Sequence, residues 1–97
     1  FSWDTQKTQG ASFKLTASEW NSFTRNINMI RTYKNYSTYS FTTVKTGDTV
    51  TAAIYNEARK AIQGISGYCA YIPTVSARDN ITAYCLNQIV SELNAIP

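Results

Sequence analysis

The chain contains no histidine and only two cysteines, Cys69 and Cys85. Without histidine it cannot build Ser-His-Asp or Cys-His nucleophile arrangements, and it lacks the commonest metal ligand. Two thiols cannot fill the four positions of a structural zinc site. Pairing of the two cysteines in an oxidising compartment and burial as free thiols both remain open. We therefore expect no metal and no cofactor.

Acidic residues are also few, and each has a structural interpretation. They lie beside predicted helix caps, in turns before helices or on polar helix faces: Asp4, Glu19, Asp48, Glu57, Asp79 and Glu92. No glycine-rich phosphate loop is present. A hydrolase using paired carboxylates is disfavoured, so we predict that the chain is not an enzyme.

Long hydrophobic runs and clustered charges are missing as well. No apolar run approaches the ~18 residues typical of a membrane span. The nine Lys and Arg residues are scattered, and only Arg59 and Lys60 are adjacent. Phosphate binding needs a clustered stripe of cations, so this pattern indicates solvated surface. We expect neither a nucleic acid nor a membrane as partner.

What the chain does contain is an internal repeat. Leu15-Thr-Ala-Ser-Glu-Trp-Asn21 recurs as Val50-Thr-Ala-Ala-Ile-Tyr-Asn56 and as Ile81-Thr-Ala-Tyr-Cys-Leu-Asn87. Repeats of this length indicate one supersecondary unit per copy. We predict a single domain, 1–97, of three repeats at approximately 1–31, 32–66 and 67–97. Because the chain begins at Phe1 rather than Met, we expect it to be a piece of a longer protein.

Each repeat predicts one helix. Thr16, Thr51 and Thr82 stand at N-cap positions, where a hydroxyl accepts a bond from a first-turn N–H group. Glu19, three residues after Thr16, completes a capping box. Apolar residues follow at helical spacing, so each helix has one apolar face that must be buried. The predicted helices are 16–31, 51–66 and 82–96, with Gly64 marking an end and Arg31 suiting the dipole of a last turn.

These elements predict a mainly α fold in which the three helices pack as a small bundle. The predicted core is Trp20, Phe23, Ile27, Ile30, Tyr55, Ile62, Ile65, Leu86, Ile89, Leu93 and Ile96. The connections contain alternating β-type residues, at Tyr39, Phe41 and Thr43 and at Tyr71, Pro73 and Val75. We expect extended segments there that form a short sheet, with Pro73 limiting its segment to an edge.

One asparagine recurs at the same position in every copy: Asn21, Asn56 and Asn87. Two interpretations are open. The amides could form a ring that binds a ligand or ion, or each could bond the backbone of a neighbouring extended segment. We favour the second, because one binding site rarely needs three copies of a residue.

The first connection is rich in tyrosine and small polar residues, a composition typical of binding loops. The candidate recognition surface consists of Tyr33, Tyr36, Tyr39, Phe41, Tyr68 and Tyr71. Tyrosine offers a rigid, amphipathic contact that suits sugars or protein surfaces. The alternative is that these rings cover the ends of the small core.

Trp3, Gly10 and the segment from Leu15 to Asn21 resemble repeated segments in tail and minor structural proteins of phages that infect gut and other Gram-positive bacteria. The resemblance is best in the first copy and weakest in the third, where Arg78 replaces the glycine. It implies a non-enzymatic module of a virion tail, baseplate or fibre, with other virion proteins or copies of itself as partners. The alternative is a secreted or cell-surface recognition module that binds a host-surface glycan or protein through residues 33–41.

Overall fold

The computed structural model describes residues 1–3, 7, 15–65 and 81–96. The protein is mainly α, as predicted, with helices α1 (Ala17–Tyr33), α2 (Ala52–Gln63) and α3 (Ala83–Asn94). Each helix begins one residue after the threonine that marks its repeat. No helix in these ranges is long and apolar enough to cross a membrane.

The three helix starts share one chemistry. The hydroxyl oxygens of Thr16, Thr51 and Thr82 accept hydrogen bonds from the backbone N–H groups three residues on. In α1 the Glu19 carboxylate also accepts from the Thr16 backbone N–H at 3.0 Å, which makes a full capping box. These bonds satisfy N–H groups that have no partner inside a helix.

The helix ends differ from the predicted ones. α1 continues past residue 31 to Tyr33, because the chain turns only at Asn35, which has a left-handed φ of 66°. The Asn35 N–H bonds the Thr32 carbonyl and the Tyr36 N–H bonds the Arg31 carbonyl, the pattern of a Schellman cap. α2 ends at Gln63, short of residue 66, and α3 at Asn94, short of residue 96.

Gly64 follows α2 with a right-handed φ of −70°, so it is not the left-handed glycine cap that the sequence suggested, and the Arg31 side chain closely approaches its backbone. A Cβ at Gly64 would lie 3.1 Å from Nη1 of Arg31. That nitrogen donates to the Ala61 carbonyl in the last turn of α2, while Arg31 Nε donates to Ser37 O at 2.8 Å. Arg31 therefore joins the end of α1 to the end of α2 and to the connection that follows α1.

All three helices contribute to one hydrophobic cluster. Its fully buried members include Trp20, Phe23, Ile27, Tyr55, Ala58, Ile62, Leu86, Ile89 and Leu93. Of the predicted core residues, only Ile30 and Ile96 are partly exposed. Phe1 and Trp3 pack against the same cluster, with the Trp3 ring stacked on Trp20 at 6.3 Å between centroids.

The connection between α1 and α2 is extended without forming a strand. The part of the chain that the structure describes contains no strand, so the expected sheet is absent at Tyr39, Phe41 and Thr43. Tyr71, Pro73 and Val75 lie outside the described residues. A turn at 45–48 precedes α2, with the Asp48 N–H bonded to the Lys45 carbonyl at 2.9 Å and Gly47 at φ 91°. That positive φ is the reason for glycine there.

Candidate functional site

Two of the three repeated asparagines, Asn21 and Asn87, bond backbone in other parts of the chain. Asn21 on α1 uses its whole amide on one residue: Nδ2 donates to Val44 O at 2.6 Å, and Oδ1 accepts from Val44 N at 3.2 Å. Asn87 on α3 donates to Lys7 O at 2.7 Å. Asn56 holds the same position on α2 and is partly buried. Asn21 and Asn87 thus bind backbone in two different parts of the chain, which for these two residues agrees with the backbone-bonding interpretation.

A second amide lies seven residues further along two of the helices. Asn28 donates to Tyr39 O at 3.0 Å and accepts from Tyr39 N at 2.7 Å. Asn94 does the same with Phe1, at 2.8 Å in both directions. Sequence reasoning missed this pair of residues, although the spacing of Asn21 to Asn28 and of Asn87 to Asn94 was readable. We call each pair of asparagines an amide clamp.

The two amide clamps bind their partner residues in the same order along the helix. On α1 the first amide binds Val44 and the second binds Tyr39; on α3 the first binds Lys7 and the second binds Phe1. Each segment therefore runs opposite to the helix that holds it. An asparagine amide offers the same donor and acceptor as a peptide group, which allows it to take the place of a neighbouring strand.

Lys7 is buried, so the prediction that the scattered Lys and Arg residues are solvated surface is wrong for this residue. Its Nζ lies 2.9 Å and 3.1 Å from the two Glu19 carboxylate oxygens, and the two side chains are 0% and 1% exposed. The same Nζ lies 5.6 Å from the centre of the Trp3 ring. Glu19 therefore serves the cap of α1 and an ion pair with the N-terminal segment at once.

The other described carboxylates also bond the chain. Glu57 on α2 accepts from the Thr42 N–H at 2.9 Å and from the Thr42 hydroxyl at 2.7 Å. Asp48 accepts from the Lys45 N–H at 3.2 Å, and Glu92 accepts from Gln88 at 2.9 Å. Segment 39–44 is consequently fastened to α1 by amides and to α2 by a carboxylate.

The thiol of Cys85 is buried and free, and Cys69 lies outside the described residues. The Cys85 Sγ accepts a hydrogen bond from the Thr82 hydroxyl at 3.3 Å, and the Cys85 backbone carbonyl accepts one from the Tyr55 hydroxyl at 3.3 Å. Burial, with a smaller contribution from Cys85, raises the pKa of the Tyr55 hydroxyl well above its usual range. Tyr55 therefore stays protonated in the core.

The structure separates the tyrosines of the first connection by role. Tyr39 and Phe41 are partly buried, lie 4.8 Å apart between ring centroids and pack against the core. Tyr36 lies under the Arg31 guanidinium at 5.8 Å. Only Tyr33 is largely exposed, at 78%. Tyr68 and Tyr71 lie outside the described residues.

Tyr33 borders an open groove of about 670 Å³ on the outer face of α1. Its lining residues are Arg25, Asn28, Met29, Thr32, Tyr33 and Thr38. Met29 is 68% exposed, and it lies one helical turn before Tyr33. The chain has a single methionine, so this groove contains its only thioether.

The positive charges are concentrated in one segment of the sequence, although few of them are adjacent. Between Glu19 and Asp48 there are four cations, Arg25, Arg31, Lys34 and Lys45, and no acidic residue. The remaining residues carry five cations and six acidic residues, so they contribute −1 to the net +3. The excess positive charge thus belongs to α1 and the first connection, and Arg25 is the cation that lines the groove. Lys34 Nζ lies 5.5 Å from the centre of the Tyr33 ring.

Comparison with protein-family models, with curated proteins and with solved structures found no match for this chain.

Proposed function

We propose that the chain is a non-enzymatic structural module of a phage virion, in a tail, baseplate or fibre, where it acts as a spacer, adaptor or attachment domain. In this proposal the three helices pack as a small bundle. The partners are other virion proteins or copies of the same chain. The resemblance in the first repeat suggests the setting, and the use of the repeat residues in the fold supports the structural role.

The observation that carries the proposal is that the residues of the resemblance bind the chain itself. Trp3 stacks on Trp20 and donates from Nε1 to Leu86 O at 3.2 Å. Thr16 and Glu19 form the capping box, and Asn21 clamps Val44. A motif whose conspicuous side chains all build the fold is typical of a scaffold. A catalytic motif would present some of these groups to a substrate.

The two amide clamps support the same role. They fasten the N-terminal segment to the last helix and the first connection to the first helix, across sequence separations of 93 and 11 residues at Phe1–Asn94 and Tyr39–Asn28. The bonds from Phe1 to Asn94 bring the two described ends of the chain together, which suits a module that keeps a fixed spacing.

The test is to look for the chain in particles. Phage particles released from cells that carry the gene would be purified on a density gradient and analysed by mass spectrometry. We expect peptides of this chain to follow those of the major capsid and tail proteins through the gradient. Peptides found only in the soluble fraction, with capsid proteins well represented in the particle fraction, would contradict the proposal.

A second candidate is supported by the exposure of Tyr33: a secreted or cell-surface module that recognises a host glycan or protein. It predicts that purified chain binds bacterial cell-wall fragments in a pull-down and that Tyr33→Ser abolishes binding. Tyr84→Ser is the matched control, because Tyr84 is also exposed, at 51%, but lies on α3. Equal binding by both variants would contradict this candidate.

A further inference from the structure

We infer that the site on α1 and α3 that holds the chain's own N-terminal segment also accepts the N-terminal segment of a second copy, so that copies join by exchanging this segment. The described residues of the segment are Phe1, Ser2, Trp3 and Lys7. We call the side chains of α1 and α3 that contact it the acceptor site. The inference names the contact between copies of the proposed assembly module, and it rests on that proposed function for the setting in which they meet.

The contribution of α3 to the acceptor site is a set of hydrogen bonds. The amide clamp on α3 binds the backbone of Phe1 and of Lys7. Between them the Leu86 carbonyl accepts from the Trp3 indole at 3.2 Å. These bonds join residues that are 93, 80 and 83 residues apart in sequence. The segment is therefore held by its chemistry and not by a nearby chain connection to α3, and the same bonds are available to the segment of another copy.

The contribution of α1 is aromatic. The rings of Phe1 and Trp3 both lie 5.1 Å from the Phe23 ring, and Trp3 stacks on Trp20. Phe23 and Trp20 are 0% exposed with the segment in place. Aromatic contacts of this kind contribute strongly to packing. The core is incomplete without an N-terminal segment, so the acceptor site requires one from its own chain or from another.

A buried ion pair makes the acceptor site selective. Lys7 Nζ lies 2.9 Å and 3.1 Å from the two carboxylate oxygens of Glu19. Ile54 and Cys85 occupy the position of Glu19 in the other two repeats. Val44 has the place on the α1 clamp that Lys7 has on the α3 clamp. Because a buried charge is costly without its counterpart, the site favours a segment that carries the lysine, as every copy of this chain does.

The first connection shows why exchange is expected at this site. Its segment also has aromatic residues at the first and third places, Tyr39 and Phe41, and it follows directly from the helix that clamps it. The N-terminal segment is clamped by the helix furthest from it in sequence. Exchange of an identical element between copies uses contacts that already exist and is a low-cost route to association. Its extent depends on the concentration of copies relative to the effective concentration of the chain's own segment.

Two complementary variants test the inference. In Lys7→Met every Glu19 meets a methionine, and in Glu19→Gln every Lys7 meets a glutamine, whether the segment comes from the same chain or from an identical copy. In a complex of the two variants, Lys7 of one chain meets Glu19 of the other. The second acceptor site then combines methionine with glutamine and carries no charge. Exchange between unlike chains thus restores matched sites, which a single chain cannot do.

The full-length variants, one of them labelled with ¹⁵N, would be unfolded together in urea, refolded at high concentration and examined by native mass spectrometry. We expect complexes that contain both variants to outnumber single-variant complexes by at least about tenfold. The urea midpoint of the mixture should exceed that of either variant. The matched control mixes wild type with the double variant Lys7→Met, Glu19→Gln. Each of these chains is matched within itself, so this mixture should show no excess of mixed complexes.

A second measurement uses the wild type alone, so that the test does not depend on the folding of the variants. Labelled and unlabelled wild type refolded together should form mixed complexes whose share rises with concentration. If the single variants fold only when refolded together, the inference is supported.

The inference is overturned by wild type that stays monomeric at every concentration. It is equally overturned by mixed variant complexes that are no more frequent than single-variant ones, or by the same excess in the control mixture. If exchange fails while the chain is present in particles, the assembly role stands with other virion proteins as partners. Exchange by a chain that is absent from particles would reject the virion setting alone.

Discussion

Replacing Lys7 with methionine should be among the most destabilising substitutions in the protein. The Lys7 ammonium and the Glu19 carboxylate are 0% and 1% exposed, so neither can regain water when the other is removed. At a separation near 3 Å and an effective dielectric constant of about 20, their attraction amounts to about 5 kcal/mol. Methionine keeps the volume of the lysine stem, so the loss should come from charge rather than from a cavity.

Removing one partner of a buried pair costs about 3–5 kcal/mol, because the remaining charge stays in a low-dielectric site. A chain of 97 residues has a total stability of about 5–15 kcal/mol. Lys7→Met should therefore take away a large part of the free energy of unfolding. Lys45→Met is the matched control, since Lys45 is exposed in the turn before α2, and it should change stability by less than about 0.5 kcal/mol.

Urea unfolding followed by tryptophan fluorescence measures the effect, because Trp3 and Trp20 stack beside the pair. The double variant Lys7→Met with Glu19→Gln removes both charges and leaves an amide oxygen to accept from the Thr16 N–H. It should recover most of the loss and lie within about 1–2 kcal/mol of the wild type. A Lys7→Met variant that loses less than about 1 kcal/mol, or a double variant no better than the single one, would refute the reasoning.

Four further predictions follow from the core, the caps and the clamps. Asn28→Asp replaces the donor that faces Tyr39 O and should lower the free energy of unfolding in urea by about 2 kcal/mol. An equal loss in the control Asn26→Asp, on the same helix, would mean that the effect does not come from the amide clamp. Ile62→Ala, at a fully buried position, should cost about 2–5 kcal/mol, and a loss below about 0.5 kcal/mol would mean that the core is misassigned. Thr51→Ala should cost about 1 kcal/mol through the cap of α2, whereas exposed Thr49→Ala should not, so similar midpoints for the two would count against the cap. The pKa of Tyr55 is raised in the folded state, so the unfolded chain loses that proton first as pH rises. The stability that this group contributes is therefore present below about pH 10 and falls as pH rises above it. The free energy of unfolding of Tyr55→Phe should fall less steeply with alkaline pH than that of the wild type, and an unchanged slope would contradict this.

The helix starts and the buried stripe could be predicted because both depend on residues a few positions apart. A threonine hydroxyl reaches an N–H group three residues on, whatever the rest of the chain does. The helix ends depend on more. α1 ends where Asn35 adopts a left-handed conformation, and α2 ends beside the Arg31 guanidinium of another helix. Neither condition is visible in the repeat pattern.

Lys7 and the tyrosines show why composition was a poorer guide to the surface. A lysine is normally exposed, and its burial here depends on Glu19, which lies twelve residues away and is itself oriented by the cap. The composition of the tyrosine-rich run is typical of a binding loop, yet its C-terminal part is extended and packs Tyr39 and Phe41 against the core. The charge imbalance between Glu19 and Asp48 is visible only when charges are summed over that segment of the sequence.

The amide clamps explain how a mainly α domain accommodates extended segments without a sheet in its described residues. An extended backbone needs a partner for its N–H and C=O groups, and a strand supplies them at regular spacing. Asn21 and Asn28 supply the same pair of groups from one helix, to Val44 and to Tyr39 at the two ends of segment 39–44. Glu57 binds Thr42 between them. Asn21 and Asn28 are therefore the counterpart of a strand ladder for this segment. Met29 and Tyr33 lie on α1 outside this set of bonds and are exposed.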